Sequence, residues 1–250
     1  MKKWMVLALA SMTGAAQADL LPDFYIGGSA WQTSASGYVQ ADGDEVDLED
    51  DLDIEDSTNF FVYAELEDVL SITPFVPDLR LSYTDVTMEG ENQLDRSYVF
   101  GDTAFTVADT VMTDFEFSFV DATLYWELLD NVASLDLGAT ARAFDFSGSM
   151  MAQTSGQEEE VDLSGVVPMG FARVGVDLPL SGVYVRAQAQ GISYDDKNFI
   201  DAEAKIGYES SLGLGLEAGY RMLSFDAEDF EGYNMDLQID GVFAGLRYHL

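Results

Sequence analysis

Seven cations stand where they could form ion pairs: Arg80, Arg142, Arg173, Arg186, Lys205, Arg221 and Arg247. Each lies on the polar side of a segment that alternates between polar and apolar residues. Carboxylates occupy the same polar sides: Glu65, Asp136, Asp177, Glu203 and Glu217. An unpaired buried charge is costly, so these groups are expected to form a charge-paired interior network. That is structural chemistry rather than catalysis.

A second concentration of charge is "DGDEVDLEDDLDIED", residues 42–56. Hard divalent cations such as Ca²⁺ take several carboxylate oxygens, which makes Asp42, Asp44, Asp47, Asp50, Asp51 and Asp53 candidate ligands. The run lacks the Gly and Glu placement of a helix–loop–helix calcium loop. A solvated, self-repelling loop is the plainer expectation. "GQEEEVD" (156–162) is a weaker instance.

The remaining chemistry is sparse. There is one histidine, His249, one residue from the end of the chain, and there are no cysteines, so no Cys/His zinc pattern exists. No nucleophile motif accompanies His249, and no enzyme activity and no cofactor are expected. Gly213, Gly215 and Gly219 are small residues on one strand face, not a phosphate loop. Tyr25 and Trp31 share the inward parity of the first strand. They either line a pocket for an apolar solute or simply fill an interior.

The elements that position these groups are strands. Ten are predicted, at 23–33, 58–66, 77–88, 111–126, 134–146, 166–178, 183–193, 200–209, 212–225 and 234–250. In "SLDLGATARAF", Leu135, Leu137, Ala139, Ala141 and Ala143 oppose Asp136, Gly138, Thr140 and Arg142. In "FIDAEAKIGYE", Ile200, Ala202, Ala204, Ile206 and Tyr208 oppose Asp201, Glu203, Lys205, Gly207 and Glu209. Two segments break phase. In "TDFEFSFVDATLYWEL" the apolar set moves from Phe115, Phe117 and Phe119 to Val120, Ala122, Leu124 and Trp126. In "NMDLQIDGVFAGL" it moves from Leu237 and Ile239 to Val242 and Ala244. A bulge, or an extension beyond a membrane, is inferred at each.

The connections alternate in character. Those at 67–76, 127–133, 179–182 and 210–211 are compact. Those at 34–57, 89–110, 147–165, 194–199 and 226–233 are mostly longer and more polar. Short turns on one side and longer loops on the other, with an even strand number, fit an outer-membrane barrel. The stretch 89–110 contains "SYVFGDTAFTV", a candidate extra hairpin, so eight or twelve strands are alternatives to ten.

The cation parity decides between membrane and water. Without Lys2 and Lys3, nine cations remain, and only Arg96 and Lys197 lie off the polar strand faces. A cation on a lipid-facing side would cost about 2–4 kcal/mol at the midplane. The expected fold is therefore all-β, a closed antiparallel transmembrane β-barrel of about ten strands. In the terminal "GVFAGLRYHL", Val242, Ala244, Leu246, Tyr248 and Leu250 would face lipid, and Arg247 and His249 the lumen.

The start of the chain agrees. "MKKWMVLALASMTGAAQA" has a basic start, a short apolar stretch and the small-x-small site Ala16-Gln17-Ala18. Residues 1–18 are expected to be a secretory signal peptide and 19–250 the barrel domain. No later run is long and apolar enough for a membrane helix. The formal charge of −35 excludes nucleic acid as a partner, since phosphate would be repelled.

With these segments in place, the chain resembles small Gram-negative outer-membrane β-barrels, in particular a family named for a Gly-Gly motif near the mature N-terminus. The resemblance rests on "FYIGG" (24–28), "TLYWELLD" (123–130), "LDLGATAR" (135–142), "LGLEAGYR" (214–221) and "GLRYHL" (245–250). It covers essentially the whole mature chain. OmpW-like barrels are similar in style. The resemblance implies outer-membrane location, contact with outer-membrane lipid and lipopolysaccharide, and insertion by the barrel-assembly machinery. That machinery reads a C-terminal strand usually ending in Phe, whereas this chain ends in Leu250.

Two function classes follow. One is a narrow pore for small or apolar solutes, with acidic outer loops and divalent cations as candidate partners. The alternative is a non-conducting structural or surface-interacting barrel, its lumen plugged by Arg–carboxylate pairs.

Overall fold

The computed structural model describes residues 22–41, 44–67, 76–101, 103–195, 197–230 and 232–250. Residues 1–18, the expected signal peptide, and Asp42 lie outside the described residues. The strands are β1 (Asp23–Ala41), β2 (Glu45–Asp47), β3 (Ser57–Glu67), β4 (Asp78–Gln93), β5 (Tyr98–Phe100), β6 (Thr103–Phe105), β7 (Thr110–Asp130), β8 (Ala133–Ala152), β9 (Glu158–Leu178), β10 (Val183–Tyr194), β11 (Lys197–Glu209), β12 (Leu214–Phe230) and β13 (Tyr233–His249). Ten of them form the barrel in the order β1-β3-β4-β7-β8-β9-β10-β11-β12-β13, and β13 closes on β1 through the pair Tyr25↔His249. Every pairing is antiparallel. The fold is therefore the closed ten-stranded transmembrane β-barrel, and the candidate hairpin is a separate β5–β6 ribbon outside the wall.

The start of β1 and the end of β13 sit at one end of the barrel, where the Leu250 N–H donates to the Phe24 carbonyl at 2.9 Å. Two-residue and four-residue turns join β7 to β8, β9 to β10 and β11 to β12 there. In the last of these, Gly213 takes φ +76°, a conformation that disfavours side chains. The opposite end carries the segment 44–56 and the β5–β6 ribbon.

The outer face has a sharply bounded apolar belt. On β9, Val166, Ala172, Val174, Val176 and Leu178 point outward and are exposed, whereas Glu158, Glu160, Asp162 and Ser164 occupy the same face above them. Val120 on β7 and Ala143 on β8 pair across the ladder at the same boundary, with Ser118 and Asp145 directly beyond. A lipid-facing belt under a polar crown follows from this alternation.

This resolves both phase breaks. In β7 the odd residues from Val111 to Tyr125 all turn inward, and the β4 and β8 registers run unbroken past Phe119 and Val120. The only β7–β8 irregularity falls lower, between Glu127 and Leu129. In β13 the odd residues Met235, Phe243 and Arg247 are likewise inward and buried. There is no bulge at either phase break: the strands extend beyond the belt, and the interior changes from polar to apolar while the exterior does the reverse. The same effect corrects the expected loop 147–165. Most of it is strand, and only Gln153–Gln157 connects β8 to β9.

Candidate functional site

The interior divides into two levels. The lower level, toward the chain ends, is the charge network. Register creates much of it directly, because Glu65 lies opposite Arg80, Asp121 opposite Arg142, and Asp136 opposite Arg173. Adjacent strands thus present opposite charges on the inward face, where side chains opposite each other are close enough to pair.

Arg142 is wholly buried. Its Nε and Nη2 donate to the two carboxylate oxygens of Asp121, each at 2.7 Å, and Nη2 also reaches Asp201 at 2.6 Å. Arg221 grips Asp201 from the other side at 3.0 and 2.8 Å. Nearer the chain ends, Arg173 binds Asp136 at 2.5 Å, Glu65 at 3.0 Å and Glu67 at 2.9 Å. Arg80 shares Glu65. Lys205 pairs with Glu203 at 3.3 Å and Glu217 at 3.1 Å. Glu217 also accepts from the hydroxyls of Tyr63 (2.8 Å) and Tyr184 (2.6 Å). Gly27, the first glycine of "FYIGG", makes room for the Tyr63 ring: a Cβ there would overlap it.

At the rim, Arg247 pairs with Glu209 at 3.3 Å and lies 3.9 Å over the Tyr25 ring. His249 hydrogen-bonds Glu209 at 3.1 Å, its ring centroid 4.2 Å from that of Tyr25. Arg186 approaches Asp177 at 4.0 Å, with Asp177 half exposed. All seven cations on the polar faces thus point inward. The structure brings Glu65, Asp136, Glu203 and Glu217 into the buried network and leaves Arg186 and Asp177 at its edge. It adds Glu67, Asp121, Asp201 and Glu209. Their inward parity was legible, but their partners depend on which strands face each other across the lumen.

Little space remains among these groups. A void of about 10 Å³, bordered by Arg80, Gln188, Asp201, Glu203 and Arg221, is room for roughly one water molecule.

The upper level is apolar. Aromatic rings lie on the uppermost guanidinium groups: Arg142 sits 3.7 Å over Phe119, and Arg221 sits 5.2 Å over Trp31 and 4.9 Å over Phe61. Trp31 is fully buried and donates its indole N–H to the Gly241 carbonyl at 3.2 Å. Tyr25 and Trp31 therefore fill the lumen; neither lines the large cavity. That cavity, of about 200 Å³, lies higher, walled by Phe117, Phe144, Leu163, Phe199, Phe225 and Leu237 among others.

Its roof is the acidic segment. Val46, Leu48 and Leu52 are buried, and Leu48 joins the cluster of Trp31, Phe61, Phe119 and Phe243. The carboxylates fold the segment. Asp47 Oδ1 accepts the N–H groups of Glu49 (2.9 Å) and Asp50 (2.8 Å). Asp51 accepts the Asp47 N–H at 2.9 Å and pairs with Arg96. Asp44 accepts the Val99 N–H at 3.1 Å. Asp53 is exposed. Among the described residues no three acidic or histidine side chains are grouped to hold a metal ion. The segment is a folded cap rather than the self-repelling loop expected, because Val46, Leu48, Leu52 and Ile54, set among its carboxylates, are aliphatics that the barrel mouth can bury.

With this geometry established, solved structures show what the fold resembles. The outer membrane protease OmpT from Escherichia coli matches over 93% of this chain and 99% of its own, with a TM-score of 0.58 and 10% sequence identity. The fold is that of an outer-membrane β-barrel. Ail of Yersinia pestis covers 92% of this chain and 100% of its own at 12% identity, with a TM-score of 0.39. Neisserial surface protein A covers 90% and 96% at 12% identity, with a TM-score of 0.34. No protein-family model and no curated protein matches the sequence.

Proposed function

We propose that this chain is an outer-membrane β-barrel whose axial path is closed. Its signal peptide, residues 1–18, would be cleaved, and the barrel-assembly machinery would insert it through the β13 strand. The mature barrel would sit in outer-membrane lipid with its acidic cap among lipopolysaccharide. The observation that carries the closed-path reading is the stack of buried ion-pair clusters across the lumen: Arg142, Asp121, Asp201 and Arg221 above, and Arg80, Arg173 and Glu65 beside Lys205 and Glu217 below. An ion entering from either end would have to displace paired charges, with roughly one water's room to move through. This favours the non-conducting alternative over a pore along the axis.

The barrel is also read as non-enzymatic. His249 is engaged by Tyr25 and Glu209 at the rim, and the buried carboxylates are held by cations. OmpT's description as a protease belongs to that protein.

The test is single-channel recording of the refolded mature protein in a planar bilayer, beside Arg142→Ala/Arg173→Ala. The unaltered barrel should be silent, and the double variant should show small steps that favour cations. Reproducible steps from the folded unaltered barrel would refute the plug.

A further inference from the structure

The barrel wall is incomplete beside the apolar cavity. β10 pairs with β9 only up to Gly191↔Gly170 and ends at Tyr194. β9 continues upward to Glu158, and among the described residues its stretch 158–169 is paired on the β8 side alone. β11 begins at Lys197, while its neighbour β12 runs on to Phe230. The result is a notch above the short β10–β11 hairpin, between β9 and β12. Its sill, at Gly170 and Gly191, lies below Val166, so the opening begins within the apolar belt. Behind it stand Leu163 and Val167 of β9, Phe199 of β11 and Phe225 of β12, all lining the cavity. The roof is the acidic cap and the floor is the aromatic layer over Arg142 and Arg221. The side wall is the part left open.

One cation stands at this opening. Lys197 has the inward parity of Phe199 and sits two residues above it, at the first residue of β11. Among the described residues the other cations are paired with carboxylates, whereas no such pair involves Lys197.

We propose that the cavity binds a medium-chain fatty acid, its alkyl chain entering from the bilayer through the notch and its carboxylate resting beside Lys197. The cavity exceeds the roughly 150 Å³ apolar cavities that stay dry and take up benzene, so an apolar chain is the natural occupant. Burial of the chain supplies the affinity. The half-buried Lys197 offers a single charge, still partly screened by water, so the headgroup tunes the preference rather than creating it. The site does not depend on whether the axial path conducts.

The experiment uses the full mature barrel in vesicles of uncharged phosphatidylcholine, with decanoic acid carrying a terminal diazirine. After irradiation, cross-linked residues are mapped by mass spectrometry. Labels on Phe199, Phe225 and Leu163 that unlabelled decanoate competes away are expected. Leu163→Trp, which fills the cavity, should abolish those labels. Lys197→Met should weaken apparent affinity by up to about fivefold. Gly170→Trp should slow labelling; a Cβ at Gly170 meets only the Gly191 carbonyl oxygen, at 3.8 Å, so the strand tolerates it. Heat-modified migration on gels confirms that each variant is folded. Labels confined to belt residues such as Val174, or labels that decanoate does not displace, overturn the site. Unchanged affinity in Lys197→Met overturns the headgroup placement, and an unchanged rate in Gly170→Trp overturns entry from the bilayer.

Discussion

Replacing Arg142 by Met tests how the network holds the barrel together. The methionine keeps the length and much of the volume but removes the charge. Asp121 would lose its bidentate partner and keep only the Gln190 amide at 2.8 Å. Asp201 would keep Arg221 at 2.8 Å. The loss is thus concentrated on one buried carboxylate, which is 1% exposed. Leaving such a charge uncompensated costs about 3–5 kcal/mol. The paired variant Arg142→Met/Asp121→Leu removes both charges and should recover most of that loss, because replacing a buried pair by apolar groups is often neutral. The coupling between the two sites is therefore expected to be about 2–4 kcal/mol. Reversible urea unfolding in lipid vesicles, followed by Trp31 and Trp126 fluorescence, measures all four corners of the cycle. A cost below about 1 kcal/mol for Arg142→Met, or a double variant no more stable than the single one, would refute the claim that unpaired charge dominates here.

Three further outcomes follow from other parts of the molecule. Ala172→Arg, at the middle of the β9 belt, should cost about 2–4 kcal/mol in vesicles, while Val166→Arg at the boundary should cost about 0–1 kcal/mol; equal costs in urea titration would misplace the belt. Gly27→Val should drive Tyr63 off Glu217 and lower stability by about 1–3 kcal/mol, whereas the outward Gly28→Ala should stay near neutral by the same titration. The cap should loosen in acid. Burial pushes the Asp51 carboxyl up, but the hydrogen bond from Arg96, the Asp47 N–H and the Arg96 charge together pull it below its usual value. Its anchoring is therefore fully present above the unfolded value near ~4 and is lost as pH falls through the lower folded value. Amide exchange across 44–56 should be slow at neutral pH and fast in strong acid, and Arg96→Ala should make it fast already at neutral pH. Equal protection at both pH values would argue against the anchor.

The alternation of residues such as those of "SLDLGATARAF" was sufficient by itself to determine the strands, the barrel class and the inward direction of all seven paired cations. The reason is that side chains alternate strictly along a strand and lipid tolerates no charge on the outer side. The same reasoning placed Tyr25 and Trp31 on the inner wall. It left a bulge and an extension beyond the membrane as alternatives at the two phase breaks, because a sequence shows only that apolar residues change parity; the unbroken registers decide for the extension. It cannot show that inside and outside exchange character where the strands leave the belt. Which carboxylate meets which arginine was decided by tertiary structure alone: Arg173 meets Glu65 and Glu67 across the lumen, more than a hundred residues away. The folding-in of the acidic cap, the cavity beneath it and the notch beside it were likewise invisible in the chain. Each depends on how far neighbouring strands extend past one another, a difference in length that exists only once β9, β10 and β12 stand side by side.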